Sequence, residues 1–337
     1  MEKGPLKTTC CSCSVSMKCF PSQLLRRTPS QKALALSKPD AKEGYPKEAF
    51  MRIAHLGLEE TERTGQSVYM RAWGDWEHHT LVLTAADRPG LEHVGWRVGA
   101  PEDVEAFAKE IEARGEKVTR VEAGTEKGQG DAIRFTYPGG QTMELYYDVE
   151  KFQPGDKKSR LKNAPQRPSY RGVGVRRLDH INMLSSDVTK TRTWLQDVLG
   201  FHLRENLYFD DQVEGASWLS VTSQVHDIAV MQDATGQNGR LHHLAYWLDN
   251  REDVLRAADI LTDAGTTIEA GPGKHGITQA FFIYLLEPGG NRIELFSGGY
   301  QIFAPDWEPI TWTKDEIEKS IIWWGSPLPQ EFFIYGT

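Results

Sequence analysis

The chain predicts an α+β protein built of two βαβββ modules in tandem, and three observations carry that prediction. Val104, Ala108 and Gly115 recur 150 positions later as Val254, Ala258 and Gly265. Pro138-Gly139-Gly140 recurs at the same offset as Pro288-Gly289-Gly290. His93 precedes Glu144 by 51 positions, and His243 precedes Glu294 by the same 51. Matched spacings with landmarks between them mark a duplicated module, so each copy can be read against the other.

The elements follow in order. Residues 1–50 form an atypical extension, expected to be disordered: up to Pro39 it is rich in Ser, Lys and Arg, with Glu2 as its only acid. Such a composition overlaps that of a transit peptide. Residues 51–148 form a first, non-catalytic module. Ser67–Trp73 and His79–Thr84 read as strands, Pro101–Arg114 as a helix stopped by Gly115, and Ala132–Thr136 with Thr142–Tyr147 as a hairpin around Tyr137-Pro-Gly-Gly. Residues 149–172 are a polar, basic linker.

Residues 173–300 form the second, metal-binding module. Arg177–Leu184 reads as a strand and Ser186–Val198 as a helix with Val188, Thr191, Trp194, Leu195 and Val198 inward. Strands follow at Ala216–Val221, Asp227–Met231 and Leu241–Leu248, then a helix capped by Asn250 and ended by Gly265. Gln279–Leu286 and Asn291–Phe296 close the module as a hairpin. Residues 301–337 are a tail carrying Phe303, Trp307, Trp312, Trp323, Trp324, Phe332, Phe333 and Tyr335, and so many aromatics need a surface such as a cavity mouth to cover.

Composition limits the function classes. A hydrophobic fraction of 39% and a charged fraction of 26% are ordinary for a globular chain. A net charge of -8 argues against nucleic-acid binding. No apolar run approaches the ~20 residues a membrane span needs, so no membrane partner and a cytoplasmic location are expected. The four cysteines are Cys10, Cys11, Cys13 and Cys19, so the folded body is no disulfide scaffold.

His180, His243 and Glu294, all on expected strands of the second module, fit a metal site. Two imidazoles and a carboxylate on one face leave the opposite positions of a metal open, which suits Fe(II) and also Zn or Mn. His226 precedes a strand and fits a general acid/base. His275 lies in a Gly-Pro-Gly-Lys-His-Gly loop, and Tyr284 on the next strand offers a phenol.

Comparison of the copies separates them. Module one keeps His55, His93 and Glu144 at the ligand positions and His78 near the place of His226, but has Thr125 opposite His275 and Arg134 opposite Tyr284. His180 is followed 19 residues later by Leu199-Gly200, whereas His55 is followed at once by Leu56-Gly57. A strand end and the first helix are therefore expected to be missing from module one, with no working metal there.

With Leu-Asp-His at His180, Gly-Arg-Leu-His-His at His243, His-Gly-Ile-Thr before Tyr284, and Glu-Pro-Gly-Gly-Asn-Arg-Ile-Glu-Leu-Phe around Glu294, the chain resembles the type I extradiol dioxygenases of the vicinal-oxygen-chelate superfamily, those like catechol 2,3-dioxygenase, over about residues 52–337. The resemblance implies extradiol cleavage of catechol or a substituted catechol by O2 to a 2-hydroxymuconic semialdehyde. It implies Fe(II), with Mn(II) as the other choice, on His180, His243 and Glu294, with His243 rather than His242 the ligand. It implies catalytic roles for His226, His275 and Tyr284, a pocket lined by Ile277, Thr278, Ile321 and Phe332, and a homotetramer. Two alternatives stay open: a glyoxalase- or epimerase-like metalloenzyme on the same unit, and an inactive remnant if module one is truncated.

Overall fold

The computed structural model describes residues 13–19, 54–168 and 171–337. Module one comprises β1 (Cys13–Cys19), β2 (Glu59–Thr64), β3 (Ser67–Arg71), β4 (Leu81–Ala85), β5 (Gly90–Arg97), α1 (Pro101–Ala113), β6 (Val118–Val121), β7 (Ala132–Thr136) and β8 (Thr142–Tyr146). They form a sheet in the order β2-β3-β4-β1-β5-β8-β7-β6.

Module two comprises β9 (Arg177–Ser185), α2 (Val188–Leu199), β10 (His202–Tyr208), β11 (Glu214–Ser220), β12 (Ile228–Gln232), β13 (Leu241–Trp247), α3 (Arg251–Asp263), β14 (Ile268–Lys274), β15 (Ala280–Leu286) and β16 (Arg292–Gly298). Its sheet runs β10-β11-β12-β9-β13-β16-β15-β14. Strand for strand this is the order of module one. The last segment adds β17 (Ile310–Trp312) beside β10, α4 (Ile317–Ile321), β18 (Trp324–Gly325) beside β14, and α5 (Gln330–Ile334).

The structure corrects the reading of module one. Its first strand is not missing: β1, inside the segment expected to be disordered, pairs parallel with β4 and antiparallel with β5, as β9 does with β12 and β13. Two open strand edges at the middle of a sheet would leave a row of unpaired backbone groups, and β1 satisfies both. Val15 and Met17 are buried in the core that both modules share. The signal is the alternation Ser-Val-Ser-Met-Lys, which puts the two apolar residues on one face. The other residues of 1–53 lie outside the described residues, and with them the helix expected to be absent.

Local chemistry explains the remaining elements. Asp187 caps α2 by accepting from Lys190 N, and Gly200 ends it with φ 73°. Asn250 Oδ1 caps α3 by accepting from Asp253 N at 2.8 Å. The sequence reading passes over β2, β5, β6 and β10, of which β2 and β6 are polar or half-exposed and give a weak period, and takes the Gly271-Pro272-Gly273 run as loop where it forms the irregular strand β14. Module contacts are aromatic: Trp96 meets Phe201 edge-on at 5.2 Å, and Trp194 lies 5.7 Å from Phe135. Among the described residues no helix is long and apolar enough to cross a membrane.

Because Met17 is fully buried, Met17→Ala should destabilise the protein by about 2–5 kcal/mol. Urea unfolding reads this as a lower midpoint at unchanged slope. An unshifted midpoint would show that β1 contributes nothing to the core.

Candidate metal centre

The three candidate ligands sit on three adjacent strands. In β9–β13 pairing His180 faces Ala245, and in β13–β16 pairing Ala245 faces Glu294, while His243 lies two residues before Ala245 on the same sheet face. The side chains converge on one point. Glu294 Oε2 is 3.2 Å from His180 Nε2 and 3.1 Å from His243 Nε2. One ligand atom from each lies within 4.8 Å of the others, and all three residues are buried.

Each imidazole is held in the tautomer a metal needs. His180 Nδ1 donates to Asp179 Oδ1 at 3.1 Å, which directs Nε2 to the centre. His242 Nε2 must donate to the Phe332 carbonyl at 3.0 Å, since a carbonyl only accepts. Its Nδ1 therefore accepts from His243 Nδ1 at 2.7 Å, leaving the Nε2 lone pair of His243 free. That atom has no hydrogen-bond partner among the described residues. Two imidazole nitrogens, that of His180 once its proton has left, and one carboxylate make a donor set that fits a divalent metal, with the His243 lone pair unsatisfied at its middle.

The electrostatics agree. Burial would raise Glu294, but its two histidine partners hold the carboxyl well below the usual range. Burial opposes charge on His180, yet Asp179 and Glu294 outweigh it and push the imidazole up to about 9. Burial, against the pull of Glu294, takes His243 down to about 4.

His226 sits just before β12, its ring 4.0 Å from that of His180. Asp227 anchors the preceding turn by accepting from Val221 N at 2.7 Å and Thr222 N at 3.0 Å. Burial and the neighbouring His180 drive His226 well below its ordinary value, so it is neutral. His275 donates Nδ1–H to the Ile321 carbonyl at 2.5 Å, so its Nε2 accepts from the Tyr284 hydroxyl at 3.1 Å. Burial and the Glu294 charge push the Tyr284 phenol well up, so it stays a donor.

One cavity collects these groups. His180, His226, His243, His275, Tyr284 and Glu294 line it together with Ile277, Thr278, Ile321 and Phe332. All ten residues singled out in the sequence thus meet in one place. The sequence reading missed four others: Asp179 and His242, which orient the ligands; Trp218, on the apolar wall; and Glu205. Buried Glu205 accepts from Thr278 N at 2.8 Å, Tyr300 Oη at 2.8 Å and Trp312 Nε1 at 2.7 Å, tying the last segment to a wall of the cavity where Thr278 has φ 61°. Asp179 and His242 adjoin ligands and were findable by that adjacency; Glu205 carries no sequence signal.

In module one the register overturns two assignments. Ser14 faces Gly95 as His180 faces Ala245, so Ser14 and not His55 holds the third ligand position; His55 lies in the 3-10 turn Ala54–Leu56. Leu81 and Ile228 are equivalent by their pairing with Val15 and Ile181, so the counterpart of His226 is His79 rather than His78. The offset differs at Ser14 because the residues between Cys19 and Ala54 separate β1 from the rest of its module, and at His79 because Leu81 precedes Val94 by 13 positions where Ile228 precedes Leu244 by 16.

Residues 177–295 match the Glyoxalase/Bleomycin resistance protein/Dioxygenase superfamily, and residues 91–150 the catechol 2,3-dioxygenase-like N-terminal domain. The chain is 54% identical over 276 residues to a manganese-dependent 2,3-dihydroxybiphenyl 1,2-dioxygenase of Geobacillus genomosp. 3, covering 81% of this chain and 87% of that one. It is 42% identical to a metapyrocatechase of Geobacillus stearothermophilus, covering 84% and 86%. The crystal structure of homoprotocatechuate 2,3-dioxygenase from Arthrobacter globiformis superposes with TM-score 0.82 at 26% identity, covering 100% of this chain and 94% of that one.

A proton held on His180 up to about pH 9 has to leave when a metal takes Nε2. Titrating Mn2+ into metal-free protein at neutral pH should release about one proton per ion, read from the dependence of the calorimetric heat on buffer ionisation enthalpy. Affinity should rise with pH and level off above about 9. Heat independent of buffer would contradict this arrangement.

Proposed function

We propose, since this chain belongs to the type I extradiol dioxygenases of the vicinal-oxygen-chelate superfamily, that it opens the ring of a catechol bearing a neutral, apolar substituent, or of catechol itself, to a 2-hydroxymuconic semialdehyde. One Fe(II) or Mn(II) on His180, His243 and Glu294 serves the reaction. The convergence of these three side chains with His226, His275 and Tyr284 in one cavity carries the reading. The inactive-remnant alternative rested on a missing strand end and helix; β1 supplies the strand, and the helix would fall outside the described residues.

When bound, the metal supplies a Lewis acid with open positions for a diol and O2. The protein's own groups do the rest. Neutral His226 is the base that accepts a diol proton and later returns one. Tyr284 gives its one hydroxyl proton to His275 Nε2 at rest and turns it to the reacting oxygens once a diol is bound. Phe332 and Ile321, brought by the last segment, close the cavity and exclude water.

The wall argues for the substituent. Beyond the histidines, Tyr284 and Glu294 it is mainly apolar, with Trp218, Met231, Ile277, Ile321, Leu328 and Phe332 beside the neutral Asn182, Thr278 and Ser320, and among the described lining residues none is Lys or Arg. A carboxylate there would be desolvated without a partner, which is costly. The relative named for 2,3-dihydroxybiphenyl fits such a wall better than relatives named for homoprotocatechuate.

Protein loaded with Fe(II) or Mn(II), mixed anaerobically with 2,3-dihydroxybiphenyl and then exposed to air, should give a coloured ring-opened product, with kcat/KM well above that for 3,4-dihydroxyphenylacetate. No product from any diol sinks the reaction; preference for the carboxylated diol sinks the substituent. His226→Ala should lower kcat about 10²–10⁴-fold at unchanged metal content, and unchanged turnover would remove its acid/base role.

A further inference from the structure

Module one contains a charged cluster at the place that corresponds to the metal centre. His93 and Glu144 hold the positions of His243 and Glu294 by strand register. Glu126, from the segment between β6 and β7, adds a second carboxylate, and one ligand atom each of His93, Glu126 and Glu144 lies within 4.8 Å of the others. Two carboxylates here replace the one of module two, and both are largely or fully buried. That demands a compensating cation.

Arg134 provides it. It faces Glu144 across β7–β8 as Tyr284 faces Glu294 across β15–β16. Arg134 Nε donates to Glu144 Oε2 at 2.5 Å, and the terminal nitrogen Nη2 to Glu126 Oε1 at 2.8 Å. The same nitrogen lies 3.4 Å from His93 Nε2. One planar guanidinium thus reaches all three side chains that would ligate an ion. Two buried polar atoms beside it have no hydrogen-bond partner among the described residues: Nε2 of His79, which is 2% exposed and equivalent to His226, and Glu126 Oε2, 3.8 Å away.

We propose that Arg134 is the resident cation of module one: its guanidinium stands in for a metal, and removing its charge turns His93, Glu126 and Glu144 into a second divalent-cation site. This confines metal to one centre per chain. It rests on the equivalence of the two modules and not on the reaction proposed for module two.

Metal counting in a Glu294→Gln background separates the two centres. That variant should hold close to no Mn2+, and Arg134→Met/Glu294→Gln about one ion per chain after dialysis against Mn2+. Arg134→Lys/Glu294→Gln, which keeps a positive charge, should again hold close to none. Mn2+ should also raise the melting temperature of the Arg134→Met form but not that of its parent. A folded Arg134→Met form without a second ion overturns the proposal. If that form folds only with Mn2+ present, the proposal is supported. If it folds in neither condition while Arg134→Met/Glu144→Gln folds, no metal can replace the guanidinium and the proposal is overturned. An ion retained by the Glu294→Gln single variant would count against the ligand assignment of module two, and the ion gained or not gained on adding Arg134→Met still decides this inference.

Discussion

A carboxylate buried at the middle of a sheet has to be neutralised, and much of this molecule is arranged around that constraint. Glu144 and Glu294 are both essentially inaccessible, each on a central strand of its own module. Transfer of an unpaired carboxylate from water into such a place costs several kcal/mol. Module two meets the demand with two imidazoles and room for a metal; module one meets it with the Arg134 guanidinium. Same backbone, same carboxylate, two sources of positive charge: this difference separates a centre open to chemistry from a closed ion pair.

The hydrogen-bond partners of the two imidazoles in module two turn the electrostatic solution into a usable one. A histidine ligates through a lone pair, and the partner on its other nitrogen decides which nitrogen has one. Asp179 does this for His180. His242 and the Phe332 carbonyl do it for His243, so the segment that closes the cavity also sets a ligand's tautomer. Arg292 reinforces the link, donating to the Tyr335 carbonyl at 3.1 Å while its guanidinium lies 4.5 Å from the Phe332 ring. Backbone pairing of Leu241 with Thr337 anchors the same segment beside the ligand strand. Glu205 and Trp312 fasten its other end.

Much of this was legible in the residues. Apolar periods and caps located α1, α2 and α3 to within two residues, because Pro101, Asp187, Asn250, Gly115, Gly200 and Gly265 are local signals that depend on no distant partner. The ligand residues and their companions stood out by spacing and motif. What failed were assignments that depend on pairing. Cys13–Cys19 is short, flanked by polar sequence and far along the chain from its partners, so its brief Ser-Val-Ser-Met-Lys alternation becomes decisive only once β4 and β5 are beside it. His55 stands opposite His180 by sequence offset alone, and the register places Ser14 at that position instead.

The sequence by itself determined that the molecule is a duplicated α+β module and which copy holds the chemical groups. Duplication leaves matched spacings, and ligands require particular side chains that composition cannot disguise. The tertiary structure alone decided which strand completes module one, which atom of His180 and His243 faces Glu294, and that Arg134 sits beside Glu144. Those outcomes turn on hydrogen-bond partners and charges brought together from distant parts of the chain, and such proximity exists only after the sheets have formed.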